Sequence, residues 1–313
     1  MAADAFIPVI DMGPAGEGQM LSVGREIHDA FTKSGFCYVR NHGVSEDVIS
    51  AAQESALRFF HLPLEEKLRS KPVQSVRGFN AIGRTKMKDA QAPDYKEYYQ
   101  IGLELSLDDP AVLAGQPLRG PNLWPEAVPT FRPAMMRYFD ETARCGQMLL
   151  RAVAASLGIP EDFFVKKYER PLQRTQAIYY PPHPTSHEGE LYGVAPHTDY
   201  GCITLLWQDD AGGLEVLDRL GRWIEAPPLA DALVVNIGDL LSRWSNDRYV
   251  STTHRVTNRS GRERLSIATF YDPNFDAVVD PVELALQPGN GAHYPPITAG
   301  SYITGRIDES QKT

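Results

Sequence analysis

His197 and Asp199 stand two positions apart in the stretch APHTDYG (195–201), just ahead of the apolar run Ile203, Leu205, Leu206 and Trp207. In an extended chain, residues i and i+2 project to the same side. An imidazole and a carboxylate can therefore reach one common point, and a metal ion is the natural occupant. Such a site needs a third donor. Of the eight histidines, His254 answers best: it lies in VSTTHRVTN, 57 residues further on, inside a segment that reads as a strand. Two imidazoles and one carboxylate grip one face of an octahedron in non-haem Fe(II) sites and leave the opposite face open. The imidazoles must be neutral to bind, which near pH 7 needs no large shift.

A second pair follows in RERLSIATFY. Arg264 and Ser266 share one side of a strand. The guanidinium offers a rigid fork matched to a carboxylate, and the hydroxyl adds a donor. The turn NRSG (258–261) separates this strand from the one bearing His254, so the spacing predicts an antiparallel pair with His254 and Arg264 roughly opposite. A small dicarboxylate could then rest one end on Arg264 while the other chelates the metal. Each residue also has an ordinary structural reading. Asp199 can cap a turn, Arg264 can be a surface ion-pair partner, and strand tyrosines and histidines are often core.

These side chains need a scaffold. From about residue 173 the chain breaks into short β-rich runs: RTQAIYY, CITLLWQ, GLEVLD, RWIEAP, ALVVNIG, YVSTTHRVTN and RLSIATFYD. Turn residues divide them, in DDAGG, DRLGR and NRSG. This pattern predicts a sandwich or barrel. Ahead of it the text is more helical. Residues 20–34 carry Val23, Ile27 and Phe31 at four-residue steps and read as an amphipathic helix ended by Gly35. FCYVRNHGV reads as a strand. Ser45 can cap a helix running to Phe60, and Pro63 can open a short one at PLEEKL. A long helix over about 129–157 carries Met135, Phe139, Met148 and Leu149 and stops at Gly158. Residues 68–128 read as an irregular, substrate-facing region. Within it, Arg77, Arg84, Lys86, Lys88 and Asp89 read either as a solvated loop or as a substrate lid, and DYKEYYQIG (94–102) can line the same mouth. His183 and His187 are four apart, but Pro182 and Pro184 rule out a helical metal site there. His28, His42, His61 and His293 have no partner visible in the sequence. Phe270 and Trp244 fit either core or pocket.

The chain has 313 residues, 42% hydrophobic and 23% charged, with net charge −9 and a pI near 5.4. It is long enough for a sizeable core. The acidic balance argues against a nucleic-acid or anionic-membrane binder. No apolar run approaches the roughly 18 residues of a membrane span, and the opening MAADAFIPVID lacks the pattern of a secretory signal. Cys37, Cys145 and Cys202, an odd number at wide spacing, read as buried free thiols of a cytoplasmic protein.

H-x-D, a distant second His and R-x-S ten residues beyond it together resemble the isopenicillin N synthase-like group of 2-oxoglutarate/Fe(II)-dependent dioxygenases. HTDYGCITLLWQDDAGGLEV, VVNIGDLLSRWSND and STTHRV are similar to that group. So are IPVIDM, GFCYVRNHGV and FFHLPLEEK nearer the start. The resemblance covers nearly the whole chain. It implies a mixed α/β protein: a double-stranded β-helix (jelly-roll) core with flanking N-terminal helices. Residues 1–128 would form an N-terminal region packed on the core. Residues 129–313 would supply the long helix, the core and the C-terminal tail. It implies Fe(II) held by His197, Asp199 and His254, and 2-oxoglutarate bound through Arg264 and Ser266. IYYPP (178–182) is similar to the family's N-Y-Y-P motif, which gives Tyr180 a contact to the cosubstrate, although Ile178 stands where the family has Asn. The implied reaction couples oxidative decarboxylation of 2-oxoglutarate by O2 to oxidation of a small molecule, most simply hydroxylation, with release of succinate and CO2. No protein general base is needed, in line with the absence of a Ser-His-Asp or paired-carboxylate signature. Isopenicillin N synthase itself uses R-x-S for a substrate carboxylate and contacts iron with a Gln near its C-terminus, for which Gln311 is the counterpart here. Oxidative cyclisation, desaturation and ethylene formation are alternative outcomes on this scaffold. A non-catalytic barrel that senses or carries a small acid is the alternative from another class.

Overall fold

Period-two alternation of side chains builds two main sheets here, and amphipathic helices close off the outer face of the larger. The computed structural model describes residues 7–16, 18–72, 77–84, 92–183, 191–284 and 291–311. The helices are α1 (Gly13–Gly16), α2 (Met20–Lys33), α3 (Glu46–Phe60), α4 (Leu64–Leu68), α5 (Pro110–Leu113), α6 (Phe131–Leu157), α7 (Asp239–Trp244) and α8 (Ala299–Gln311). The first seven strands are β1 (Val9–Asp11), β2 (Phe36–Arg40), β3 (Gly78–Asn80), β4 (Glu97–Gly102), β5 (Arg174–Tyr180), β6 (Val194–His197) and β7 (Ile203–Gln208). Then come β8 (Leu214–Leu217), β9 (Trp223–Glu225), β10 (Ala232–Ile237), β11 (His254–Val256), β12 (Arg264–Tyr271), β13 (Val278–Val279) and β14 (Ile297–Thr298).

The large sheet has eight strands in the order β1-β2-β10-β7-β12-β5-β4-β3, and the small one four in the order β6-β11-β8-β9. Among the described residues only β1 and β2 run parallel; the other ladders, the separate β13–β14 pair included, are antiparallel. On the outer face of the large sheet, Cys37, Val39, Ala177, Leu205, Val235, Leu265 and Ile267 join Val23, Ile27, Phe31, Phe59, Met135 and Leu149 of the helices in one core. On its inner face, Phe36, Tyr38, Ile178, Tyr180, Val234 and Ala268 meet Val194, Leu214, Val216 and Val256 of the small sheet. The two sheets thus pack face to face, as in the expected jelly roll. In β12 the split is clean. Leu265 and Ile267 point to the helices, while Arg264, Ser266, Ala268 and Phe270 point between the sheets. A one-residue slip would exchange the two sets, so burial of the outer face fixes the register of the inner one.

The expected helices all form, with ends within two residues of those read from the sequence. Gly158 ends α6 at φ +71°, a conformation that costs glycine nothing. Four expectations need correction. Residues 68–128 are not simply irregular, because β3 and β4 extend the large sheet from within them. All six residues of β4 are buried, polar Glu97 and Gln100 included, so no alternation shows in its sequence. His254 and Arg264 do not face each other across one ladder. β11 pairs with β6 and β8 while β12 pairs with β5 and β7, so the two residues lie in different sheets. Met148 is on the exposed side of α6. Arg77 is no solvated loop residue: it is buried and donates to the carbonyls of Leu103, Leu118 and Gly120. Lys86, Lys88, Asp89 and His187 lie outside the described residues, as does the side chain of Gln311.

Candidate active site

His197 closes β6 and His254 opens β11, and the two are direct register partners across that antiparallel pair. Their ring centroids lie 4.3 Å apart. Asp199 follows β6 by two residues and turns back toward both rings, its Oδ1 3.8 Å from each Nε2. One donor atom from each of the three residues falls within 4.8 Å of the others, the one such group among the described residues.

The surroundings prepare each donor for a cation. The Nδ1 of His197 faces Ala195 O at 2.9 Å, and that of His254 faces Thr252 O at 3.1 Å. A carbonyl only accepts, so each Nδ1 carries the proton and each Nε2 keeps its lone pair. Asp199 Oδ2 accepts from Thr204 Oγ1 at 2.6 Å and Asn236 Nδ2 at 2.7 Å, which leaves Oδ1 for the cluster. Burial, then the neighbouring His254, push the His197 pKa down and favour neutral imidazole. Burial alone would raise the Asp199 pKa; His254, His197 and the bonds from Asn236 and Thr204 outweigh it and hold the carboxylate below its ordinary range. Two neutral nitrogens and an anionic oxygen, mutually close and buried except for a half-buried His197, fit Fe(II).

Outer bonds hold these segments in place. Asp94 Oδ1 accepts the Ala195 N–H at 3.0 Å, and its other oxygen pairs with the buried Lys96 at 3.2 Å. Asp239 N donates to Asp199 O at 2.7 Å. The Asp239 carboxylate accepts from Thr198 at 3.1 Å, Ser251 at 2.6 Å and Arg306 of α8 at 3.0 Å. At Gly201 a Cβ would lie 1.9 Å from Asp272 Oδ1, the atom that accepts the Cys202 N–H, so only glycine fits this turn.

Arg264 is fully buried. Its Nε donates to Gly212 O at 2.6 Å, Nη1 to Ser266 Oγ at 3.2 Å and Nη2 to Gln208 Oε1 at 3.1 Å. The Tyr180 ring lies beneath the guanidinium at 4.6 Å, and the two residues are register partners on β5 and β12. Among the described residues no carboxylate comes within ion-pair distance of Arg264. Asp209, bonded to the neighbouring Leu265 N–H, acts on Arg264 only from a distance, and a buried guanidinium with no carboxylate in direct contact is costly. An anionic ligand relieves that cost, and Ser266 Oγ, already accepting from Arg264, has its own proton free to donate.

All six expected site residues line one cavity of about 640 Å³ between the sheets. The structure therefore brings together what the sequence placed in two groups. It also settles several open residues. Phe270 lines the cavity, whereas Trp244 is core beside Phe163 and Phe164. His28, His42, His61 and His293 have structural partners in Tyr249, the Val44 N–H, Glu263 and Asp247. The three thiols are free and buried. His183 is not part of the metal-binding group. Sequence reasoning missed Thr204, Asn236, Gln208, Arg174 and Gln176, whereas Lys96, Tyr98 and Gln100 of DYKEYYQIG line the cavity, as expected of that stretch. A faint signal existed for Thr204 and Asn236: each is a lone polar residue within an apolar strand, in CITLLW and VVNIG.

A face-to-face β sandwich with a His-Asp-His cluster between its sheets, and a buried Arg-Ser pair further along, defines a non-haem iron oxygenase of the carboxylate-binding kind. Comparison with known proteins agrees. Residues 7–127 match the family model described as the non-haem dioxygenase in morphine synthesis N-terminal, and residues 171–273 match that of the 2OG-Fe(II) oxygenase superfamily. The chain is 34% identical to the 2-oxoglutarate-Fe(II) type oxidoreductase hxnY of Emericella nidulans, over 97% of this chain and 90% of that one. It is 33% identical to the homoarginine-6-hydroxylase 2-ODD-C23 of Glycine max, over 98% of each. A full-length Neurospora crassa protein, solved in complex with alpha-KG and thymine, superposes with a TM-score of 0.86 at 31% identity, over 97% of this chain and 96% of that one. The chain belongs to the 2-oxoglutarate/Fe(II) oxygenase superfamily. It is a 2-oxoglutarate-dependent dioxygenase that uses Fe(II), 2-oxoglutarate and O2, and the non-catalytic carrier reading falls away. Among the described residues, no helix is long and apolar enough to cross a membrane.

Proposed function

We propose that His197, Asp199 and His254 hold the Fe(II), that Arg264 and Ser266 bind the distal carboxylate of 2-oxoglutarate with Tyr180 packed beside them, and that the enzyme hydroxylates a small molecule. The observation that carries this reading is the pairing of a prepared three-donor cluster with a buried guanidinium that has no direct carboxylate partner among the described residues, both in one cavity. When bound, iron and cosubstrate supply the O2 chemistry that turns 2-oxoglutarate into succinate and CO2 and oxidises a C–H bond of the substrate. The chain's own work is placement. The Ala195 and Thr252 carbonyls aim the two rings. Thr204 and Asn236 hold Asp199 to one-oxygen donation. Gln208 and the Gly212 carbonyl fix the guanidinium that grips the cosubstrate. Leu206, Leu214 and Val256 line the space between and limit water there. Hydroxylation is favoured over cyclisation, desaturation or ethylene formation by the kind of reaction named for the homoarginine-6-hydroxylase relative.

Two further parts of the reading concern organisation. Residues 1–128 pack on the 129–313 core without being independent of it, supported by β2 and β4, which are integral strands of the large sheet. A cytoplasmic setting fits three buried free thiols. The test is anaerobic addition of Fe(II) and 2-oxoglutarate to the metal-free protein, followed in visible absorbance. A weak charge-transfer band is expected in the wild type and is absent from His197→Ala, with O2-dependent succinate release falling at least a thousandfold. A His197→Ala protein that keeps both the band and the turnover would refute the assignment.

A further inference from the structure

The cavity continues past the metal-binding side chains to a polar wall that neither iron nor 2-oxoglutarate occupies. On β12 the inward row ends in Ala268 and Phe270. Their register partners on β5 are Gln176 and Arg174, and Gln176 in turn pairs with Gln100 on β4. Gln176 Nε2 donates to Gln100 Oε1 at 2.7 Å, which ties the two amides into one patch. The Arg174 guanidinium lies over the Phe270 ring at 5.2 Å. Its Nη2 pairs with the fully buried Asp272 at 3.1 Å, while its Nε is buried without a partner among the described residues. The side chain is thus fixed in place with donors still to satisfy.

This wall shares a row of the sheet with the support of the metal-binding carboxylate. Arg174 pairs with Phe270, Phe270 pairs with Thr204, and Thr204 donates to Asp199. Two strand spacings, roughly 10 Å, separate the Arg174 and Thr204 backbones. Arg264 and its cosubstrate pocket stand at the other end of β12. A molecule docked on the wall therefore lies on the far side of the cluster from the cosubstrate anchor.

Charge decides what that molecule can be. Among the described residues, the cavity is lined by the cations Arg84, Lys96, Arg174 and Arg264 and by one carboxylate, Asp199. Asp94 and Asp272, which neutralise Lys96 and Arg174, stand behind the wall and do not line it. Fe(II), Asp199, Arg264 and doubly charged 2-oxoglutarate cancel in formal charge. Among the described residues, Arg84 then leaves the loaded cavity cationic, with no carboxylate left facing the substrate. A cationic group placed there would be desolvated beside like charges.

We propose that Arg174, Gln176, Gln100 and Phe270 form the primary-substrate subsite, which takes a small neutral or anionic molecule presenting carbonyl or carboxylate oxygens and rejects ammonium and guanidinium groups. The inference rests on the cosubstrate assignment above. It also separates this chain from relatives named for homoarginine, despite 33% identity to one of them.

The test uses three probes of one size that differ in head group: benzoate, benzamide and benzylamine. Each is titrated calorimetrically into full-length protein loaded anaerobically with Mn(II) and 2-oxoglutarate. Benzoate and benzamide bind, and benzylamine binds at least tenfold more weakly. Arg174→Met weakens the two oxygen-bearing probes at least tenfold and leaves 2-oxoglutarate affinity within twofold. Because that change strands the buried Asp272, Gln176→Leu provides a second variant with no charge altered, and it weakens both probes at least threefold. Benzylamine binding as tightly as benzoate overturns the proposal. So does unchanged probe affinity in Gln176→Leu, or no binding of any probe at 20 mM. Failure of 2-oxoglutarate itself to bind the Mn(II)-loaded protein is the separate sign that the underlying cosubstrate reading is wrong.

Discussion

The small sheet aims its two imidazoles through bonds of two-residue span, His197 to Ala195 O and His254 to Thr252 O. The large sheet positions Arg264, Ser266, Gln208 and Arg174 through register between strands far apart in sequence. In the first case the geometry is carried by the local backbone, and each ring needs little beyond its own segment, although Asp199 beside them leans on Thr204 and Asn236 of the large sheet. In the second, every side chain depends on three or more strands meeting correctly and on the helix layer that buries their other face. The lesson is that the rings of the proposed metal end are set locally, whereas the proposed carboxylate and substrate ends are collective. Substitutions at the two ends should therefore fail differently.

The sharpest contrast comes from Arg264→Met. Replacing a buried cation that has no direct ion-pair partner by an apolar side chain of similar length is often neutral or stabilising. The melting temperature of the ligand-free protein is expected to hold or rise. Binding of 2-oxoglutarate loses a buried charge-assisted contact of about 3–4 kcal/mol, or roughly 100- to 1,000-fold in Kd. Calorimetry and thermal melting on the same sample read both numbers. A lower melting temperature with intact affinity would mean that Arg264 serves the fold and not the ligand.

A smaller effect is expected at the metal end. Asn236→Ala removes one of the two donors that hold Asp199 Oδ2, while Thr204 keeps the other. Loss of such an outer contact typically costs about 10- to 100-fold in metal affinity. Mn(II) titration of the metal-free protein should show that loss, with 2-oxoglutarate affinity at saturating Mn(II) changed no more than a few-fold. Equal losses for both ligands would erase the distinction between a local and a collective end.

The same distinction explains what could be read in the sequence. H-x-D is legible because extended backbone puts i and i+2 on one side wherever it occurs, and R-x-S is legible for the same reason. That His254 joins the first pair follows from residue type and resemblance; spacing alone places His254 opposite Arg264, in the wrong ladder. The helices with clear apolar stripes are legible with their ends. β3 and β4 are not, since β4 is buried on both faces and carries polar residues inward, which is the pattern of a loop when read in one dimension. Gln100, Gln176 and Arg174 become a patch only once β4, β5 and β12 are in register. No local pattern in the chain encodes that register.

The mildest prediction tests how far the metal end is local after all. Asp239 lies outside both segments that carry the candidate ligands, yet it holds each of them: Thr198 and the Asp199 carbonyl on one side, Ser251 on the other. Its remaining partner is Arg306 of α8, next to Ile307, which lines the cavity. The Arg306 guanidinium also stacks on Tyr200 at 4.8 Å. The C-terminal helix is thereby bonded to the same carboxylate that steadies the three candidate ligands. A partly exposed ion pair of this kind contributes about 1 kcal/mol at most. Arg306→Met is therefore expected to weaken Mn(II) binding about two- to fivefold, and Arg306→Lys to recover most of it. A Met variant that melts earlier but binds Mn(II) as the wild type does would show that α8 only covers the cavity and that the metal end needs nothing beyond its two short strands.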